Sequence, residues 1–327
     1  MSKLLVVIGI TGQQGGSVAE LYAKEAGWKV RGISRDPSKA ESWTAKGVEV
    51  VKADLNDTES LVAAFKGANA IFSNTDFWNQ FYNPATQEKL KPGQSINEYC
   101  YDVELQQGKN VADAAATVEA LDRLIMSSVC NVKKLSKGKY TWVYHFDAKA
   151  NAVEYIREKH PKLAAKMSIV QIGVYMNNWK YNKPTKQADG TYRFSIVGSG
   201  RTPLPHFDTE KDTGYVVHAA LQSPPGKNVL AAGSMLSWSD YAKVWCEVKK
   251  VPFGGYDEIP IQTYEKNIPV PGLGKEWGEM FLFMDEFGYT GGEEGVVHAQ
   301  DLGVPCPLTT WKEYIMKNDV WADVLSA

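Results

Sequence analysis

The residues most open to a chemical reading lie in GITGQQGGSVAEL, Gly9 to Leu21, directly behind the apolar run KLLVVI. Gly9, Gly12 and Gly15 form G-x-x-G-x-x-G between a predicted strand and a predicted helix, with Thr11 in the same loop. Each glycine has a mechanical reason there. The first permits a tight turn off the strand, the second lets phosphates approach the backbone, and the third lets the helix pack closely on the strand. The amides of Gly12, Gln13 and Gln14 would then present a helix N-terminus to a dianionic pyrophosphate. A tight βα turn without a ligand is the plain alternative, but the flanking strand and helix favour a dinucleotide.

The end of the second predicted strand chooses between dinucleotides. An NAD site carries Asp or Glu there to bond the ribose 2′-hydroxyl. The sequence reads GISRDPSK, and Asp36 is better explained as the cap of the next helix. Arg35 offers a donor fork suited to a 2′-phosphate, with Lys39 one turn on as a second positive charge. NADP is favoured over NAD, against the plainer reading of a solvated Arg and Lys.

Other chemistries find little support. The four cysteines, Cys100, Cys130, Cys246 and Cys306, lie far apart without ligand spacing, which suits free thiols in a reducing compartment. The histidines show no metal-ligand pattern, so no metal is expected. His206, in PLPHFD, falls where a cap loop could cover a nicotinamide. A formal charge of −2 gives no steering towards nucleic acid. The first apolar run is too short for a signal peptide, and no stretch reaches the length of a membrane span. A cytoplasmic protein, also nuclear through a partner, is the expectation.

The elements that must position these residues follow from periodicity. Short β-branched runs (KLLVVIG, WKVRGIS, VEVVKADL, AIFSNT, LDRLIMSSV, MSIVQIGVY) alternate with helical stretches, among them Gly15 to Ala26, residues 36–47, Asn97 to Ala120 and FDAKANAVEYIREKH. That order predicts right-handed crossovers and a doubly wound, Rossmann-type parallel α/β sheet over residues 1–175. DFWNQFYNPATQEKLKPGQSI reads as a loop whose Phe77 and Trp78 could wall an apolar pocket. A helix from Gly214 to Leu221 and the strand NVLAAG would return to the sheet at about 214–233. Residues 176–213 and 234–327 read as a smaller, mostly helical substrate or partner lobe, with one hairpin at Asp189-Gly190.

With the glycine loop, SRDPSK, KADLND, NTDFW, HFDAK and VYMNN in hand, the chain resembles the NmrA-like family of atypical short-chain dehydrogenases/reductases over essentially its whole length. The resemblance implies that Gly9 to Gln14 hold the pyrophosphate, that Arg35 to Lys39 hold the adenosine 2′-phosphate, and that Asp54 and Leu55 sit at the adenine. It places Thr75, Asp76 and Phe77 along the middle of the cofactor, Lys149 at the nicotinamide ribose, and Tyr175 to Asn178 beside the nicotinamide. Family members with a Lys in the helix around Gln106 use it near the cofactor, and here that place is glutamine.

The departure concerns the proton donor. Classical short-chain reductases pair Tyr with Lys four residues on, and here that place is His145, with Tyr144 one residue out of register. His145 could act as an acid near neutral pH, or simply be hydrogen-bonded at the helix entry. Two functions stay open. One is an NADPH-dependent reductase of a small apolar carbonyl compound, using Lys149, His145 and a pocket of Phe77, Trp78, Tyr175 and His206. The other is a non-catalytic NADP(H) sensor acting through a protein partner, for which the missing tyrosine speaks. The surviving lysine and the aromatic loop favour the enzyme. A homodimer stays open in both.

Overall fold

The computed structural model describes residues 2–326. Eight strands form one parallel sheet: β1 (Lys3–Ile8), β2 (Trp28–Ser34), β3 (Glu49–Lys52), β4 (Ala70–Ser73), β5 (Arg123–Ser128), β6 (Met167–Ile172), β7 (Asn228–Ala231) and β8 (Val296–His298). Their spatial order is β8-β7-β6-β5-β4-β1-β2-β3. The chain winds outward in opposite directions from β1 and β4, so the crevice at their carboxyl ends is a topological switch point, the usual ligand position in such sheets.

Both faces of the sheet are apolar, which is why the central strands read as continuous hydrophobic runs rather than alternating ones. Leu5 and Val7 of β1 pack with helix α1 (Gln13–Tyr22), while Val6 and Ile8 face the opposite layer. That opposite layer holds α2 (Thr58–Phe65), α4 (Ile96–Ala116) and α5 (Tyr144–Lys159). Between β4 and α4 lies the short helix α3 (Phe77–Phe81). Two close approaches fix the helix layers. Gly214 of α6 (Thr209–Gln222) lies against α1, and a Cβ there would fall 2.6 Å from the Ser17 carbonyl oxygen. Gly108 of α4 meets Ala152 of α5, where a Cβ would fall 2.4 Å from the alanine methyl.

The second core lies around Trp245, Trp311 and Trp321, all fully buried. It is built by helices, including α7 (Leu273–Phe287), and by two three-stranded sheets. The Asp189-Gly190 turn does join two antiparallel strands, with Thr185 opposite Arg193. Three sequence expectations change. Residues 36–47 form a 3₁₀ turn, Pro37–Ala40, and a single helical turn, Glu41–Thr44, rather than one helix. The segment read as a loop after β4 holds α3, because Asp76 accepts the Trp78 and Asn79 amides and caps it. Val296–His298, in the stretch read as the smaller lobe, pairs with β7 and becomes the edge strand β8.

Candidate active site

The crevice begins at the glycine loop. Gly9 has φ +72°, and its carbonyl accepts the Gly12 amide at 2.9 Å, which turns the chain off β1. A Cβ on Gly15 would lie 2.3 Å from that same oxygen, so the start of α1 can sit against the strand only with glycine there. No side chain caps α1 and its first turn holds no acid. The amides of Gln13, Gln14 and Gly15 therefore form a bare positive terminus, whereas that of Gly12, expected to join them, is spent inside the turn. Gln14 is buried and its amide donates to the Tyr175 hydroxyl at 2.6 Å, while its own Oε1 has no partner. Asn177 Nδ2 reaches Gln13 Oε1 at 3.0 Å, whereas Asn178 is exposed.

At the end of β2, Asp36 accepts from the Ser38 amide at 3.2 Å and its hydroxyl at 2.7 Å, which holds its carboxyl below the usual range. It is thereby engaged in the turn. Arg35 is exposed, and Lys39, also exposed, stands 3.9 Å from Asp36. Beyond β3, Asp54 accepts the Asn56 amide at 2.9 Å, and the Leu55 carbonyl accepts Asn110 Nδ2 from α4 at 2.8 Å. Gln106 donates to Asn110 at 2.8 Å, so it braces this loop rather than supplying a charge.

The centre of the crevice is built by α4 and α5. On α5, His145 and Lys149 are one turn apart on the same face. On α4, Asn97 and Glu104 are two turns apart, also on one face, and the close contact of Gly108 with Ala152 brings the two faces together. Glu104 Oε1 accepts from the Thr75 hydroxyl at 2.8 Å and from Lys149 Nζ, and its Oε2 is buried without a partner. His145 Nδ1 lies 2.5 Å from Glu276 Oε1 of α7, which also accepts the His145 amide at 2.9 Å. Asn97 Nδ2 holds the other oxygen of Glu276 at 2.8 Å. Neither Glu104 nor Glu276 carries a signal in the sequence, because each is defined by a helix crossing.

Aromatic rings flank His145, with Trp78 centred 5.0 Å away and Phe77 5.9 Å away. Trp78 is half-buried and, with Asp76, Asn79, Tyr82 and Asn83, lines an open recess of about 410 Å³. Phe77, expected along the cofactor and the pocket, has 1% of its surface exposed and instead packs against Phe81, Cys100 and Leu273. Tyr144 sits between Tyr101 and Trp142, and burial pushes its hydroxyl up to about 12. Burial also raises the Tyr175 hydroxyl, and it raises Asp147, between His145 and Lys149 in sequence, to about 6.

His206 does not line a pocket. It lies in the strand Leu204–Phe207, between Val174–Tyr175 and Ser234–Leu236, and is fully buried. Its ring stacks on Tyr241 at 4.5 Å, Nε2 donates to the Leu236 carbonyl, and desolvation holds it down to about 4. A side chain with no surface cannot cover a ligand. Among the described residues there is no grouping of side chains that could hold a metal ion, and no helix long and apolar enough to cross a membrane.

Known proteins resemble this chain in sequence and in fold. The oxidoreductase FrzB of Cladobotryum sp is 33% identical over 248 residues, covering 70% of this chain and 67% of that protein. The oxidoreductase notA of Aspergillus sp. (strain MF297-2) is 25% identical over 299 residues, covering 86% and 82%. Both are named as NmrA-like family domain-containing oxidoreductases. The crystal structure of NmrA, a negative transcriptional regulator, in complex with NADP superposes with a TM-score of 0.67 at 20% identity, covering 98% of this chain and 91% of that one. Leucoanthocyanidin reductase from Vitis vinifera, in a binary complex with NADPH, gives 0.67 at 14% identity, covering 96% and 98%. At these identities the two structures establish a shared Rossmann-type fold. The NmrA-like family model matches residues 1–315, and the chain belongs to that family.

Proposed function

We propose that this protein is an NADP(H)-dependent reductase acting on a small apolar carbonyl compound. The observation that carries the reading is the pair Lys149 and His145, one helical turn apart, with Lys149 tied through Glu104 to Thr75 just beyond β4 at the switch point, where β1 leads into the bare N-terminus of α1. The crevice fits a dinucleotide by its own chemistry. The α1 amides have no side-chain cap and no acid in their first turn, Gln14 Oε1 and Glu104 Oε2 lack donors, and Gly15 lets the start of α1 sit against the Gly9 carbonyl. The relatives support the reading, since NmrA binds NADP or NAD in crystals, leucoanthocyanidin reductase binds NADPH, and FrzB and notA are named oxidoreductases.

When bound, the nicotinamide supplies a hydride to the carbonyl carbon. Gln13, Gln14 and Gly15 would hold the pyrophosphate, Arg35 and Lys39 the 2′-phosphate, Asp54 and Leu55 the adenine edge, and Thr75, Asp76, Tyr175 and Asn178 the remainder. The choice of NADP over NAD rests on exposed Arg35 and on Asp36 being engaged with Ser38. Lys149 would divide its three donors between Glu104 and the ribose hydroxyls. His145 would give a proton to the carbonyl oxygen as the hydride arrives, with Trp78 walling the pocket.

The test is NADPH absorbance decay across ketones, aldehydes and enones, beside binding curves for wild type, Lys149→Ala and His145→Phe. Wild type should turn over, His145→Phe should lose turnover with cofactor affinity nearly intact, and Lys149→Ala should lose more turnover than affinity. Tight NADPH binding with no oxidation of any panel member would refute the reductase. A protein partner that then follows cofactor saturation would establish the sensor reading instead.

A further inference from the structure

Glu276 has no surface exposed, comes from α7 some 131 residues further along the chain, and spends both oxygens on the region of the α4 and α5 N-termini. Its placement is built rather than incidental. Gly272, the residue that caps α7, has φ +78°, and a Cβ there would fall 1.9 Å from Asn97 Oδ1. Only glycine lets the start of α7 close over Asn97, whose Nδ2 then holds Glu276 Oε2. The opposite oxygen meets His145 twice, at the backbone amide and at Nδ1.

We infer that Glu276, fixed by Asn97, is the positioning residue that locks the ring of His145 in one tautomer and orientation. The inference rests on the reductase reading for its kinetic consequence. A neutral imidazole free in water favours hydrogen on Nε2, but a carboxylate 2.5 Å from Nδ1 holds the hydrogen there instead. Nε2 has no hydrogen-bond partner among the described residues and is not one of their buried, unpartnered polar atoms, so it is the nitrogen left to work. In the reduction, the protonated ring gives the Nε2 proton to the carbonyl oxygen as the hydride reaches the carbon. The ring ends neutral with hydrogen on Nδ1, and no proton need pass to Glu276. Asn97, Glu276 and His145 thus form a positioning triad assembled from three helices.

The competing explanation is that Glu276 merely caps a helix. α5 has no side-chain cap of its own, and Glu279 of the same α7 accepts the Thr141 and Trp142 amides just ahead of it. Glu276→Gln separates the two, because a glutamine oxygen can still accept the His145 amide while the negative charge is gone. The full-length protein, labelled with ¹⁵N-histidine, is examined by NMR with His145→Phe as the assignment control. In wild type the His145 Nδ1 proton should resonate far downfield, as a charge-assisted bond requires. In Glu276→Gln that resonance should move upfield, and kcat should fall by about tenfold or more while NADPH affinity and the carbonyl KM change less than about twofold. An unmoved resonance with kcat within about twofold of wild type would reduce Glu276 to a cap and overturn the inference. If Glu276→Gln does not fold, Asn97→Ala should move the resonance the same way by a smaller amount, and no movement there overturns the inference equally. A protein that reduces no carbonyl would end the reductase reading, and the ring resonance alone would then decide the role of Glu276.

Discussion

Two buried groups near neutral pH give opposing contributions to stability, and removing either one should expose the other. Burial raises the Asp147 carboxyl from 3.8 to about 6, and burial lowers the His206 imidazole from 6.5 to about 4. Between those values the native state binds the Asp147 proton that the unfolded chain has released, so this contribution to stability falls as pH rises. His206 does the reverse: the unfolded chain takes a proton the native ring refuses, so its contribution is full above pH 6.5 and is lost as pH falls towards 4. A tenfold change in proton affinity is worth about 1.4 kcal/mol, so both contributions are about 3 kcal/mol and they largely cancel. Asp147→Asn keeps an oxygen for the Lys133 amide, which Asp147 accepts at 3.2 Å. Relative to wild type it should gain stability by up to about 3 kcal/mol between about pH 4 and pH 7. His206→Phe keeps a ring against Tyr241 but loses the Leu236 bond, a constant offset, and should lose relative stability over the same range. Urea unfolding at a series of pH values measures this, and differences from wild type remove the titration common to all three proteins. Parallel stability curves for the three proteins would refute the reasoning.

Other expectations concern the crevice at the switch point. Arg35→Ala should weaken NADPH binding by about 1.5–3 kcal/mol, the value of a charge-assisted hydrogen bond, and leave NADH nearly unchanged; equal losses by calorimetry would mean that Arg35 does not read the 2′-phosphate. Gly12→Val should fold, since φ −94° and ψ 172° suit any residue and the Gly9 oxygen, 3.3 Å from the new Cβ, need give by only a few tenths of an ångström, yet it should lose dinucleotide binding. Micromolar affinity retained in that folded variant would displace the phosphates from the loop. Gly15→Ala puts a Cβ 2.3 Å from the Gly9 oxygen. It should cost about 1–3 kcal/mol in denaturant unfolding, despite alanine's helix preference of about 1 kcal/mol, and an unchanged midpoint would contradict the packing.

What could be read in the sequence was what depends on near neighbours. The G-x-x-G-x-x-G turn, the apolar runs on both sides of it and the one-turn spacing of His145 and Lys149 are all set within a few residues. Short elements escaped for the same reason. Three residues at Val296–His298 carry no period of their own, and α3 has only five residues and an Asp76 cap to mark it. PLPHFD reads as a loop, whereas neighbouring strands on both sides turn His206 into a fully buried position. The two site carboxylates escaped for a different reason. A glutamate on a helix is ordinarily a solvated charge, and nothing near Glu104 or Glu276 in sequence says otherwise. Glu104 becomes a site group through Gly108, which lets α4 lie against Ala152 and so delivers the carboxylate to Lys149. Glu276 becomes one through Gly272, which lets α7 close on Asn97. Both carboxylates are thus placed by glycines that carry no chemistry, one within a helix and one at a helix start. At each, a Cβ would meet an atom at 2.4 Å or less, so an alanine at position 108 or 272 would disturb the surroundings of Lys149 and His145 without touching a charged residue.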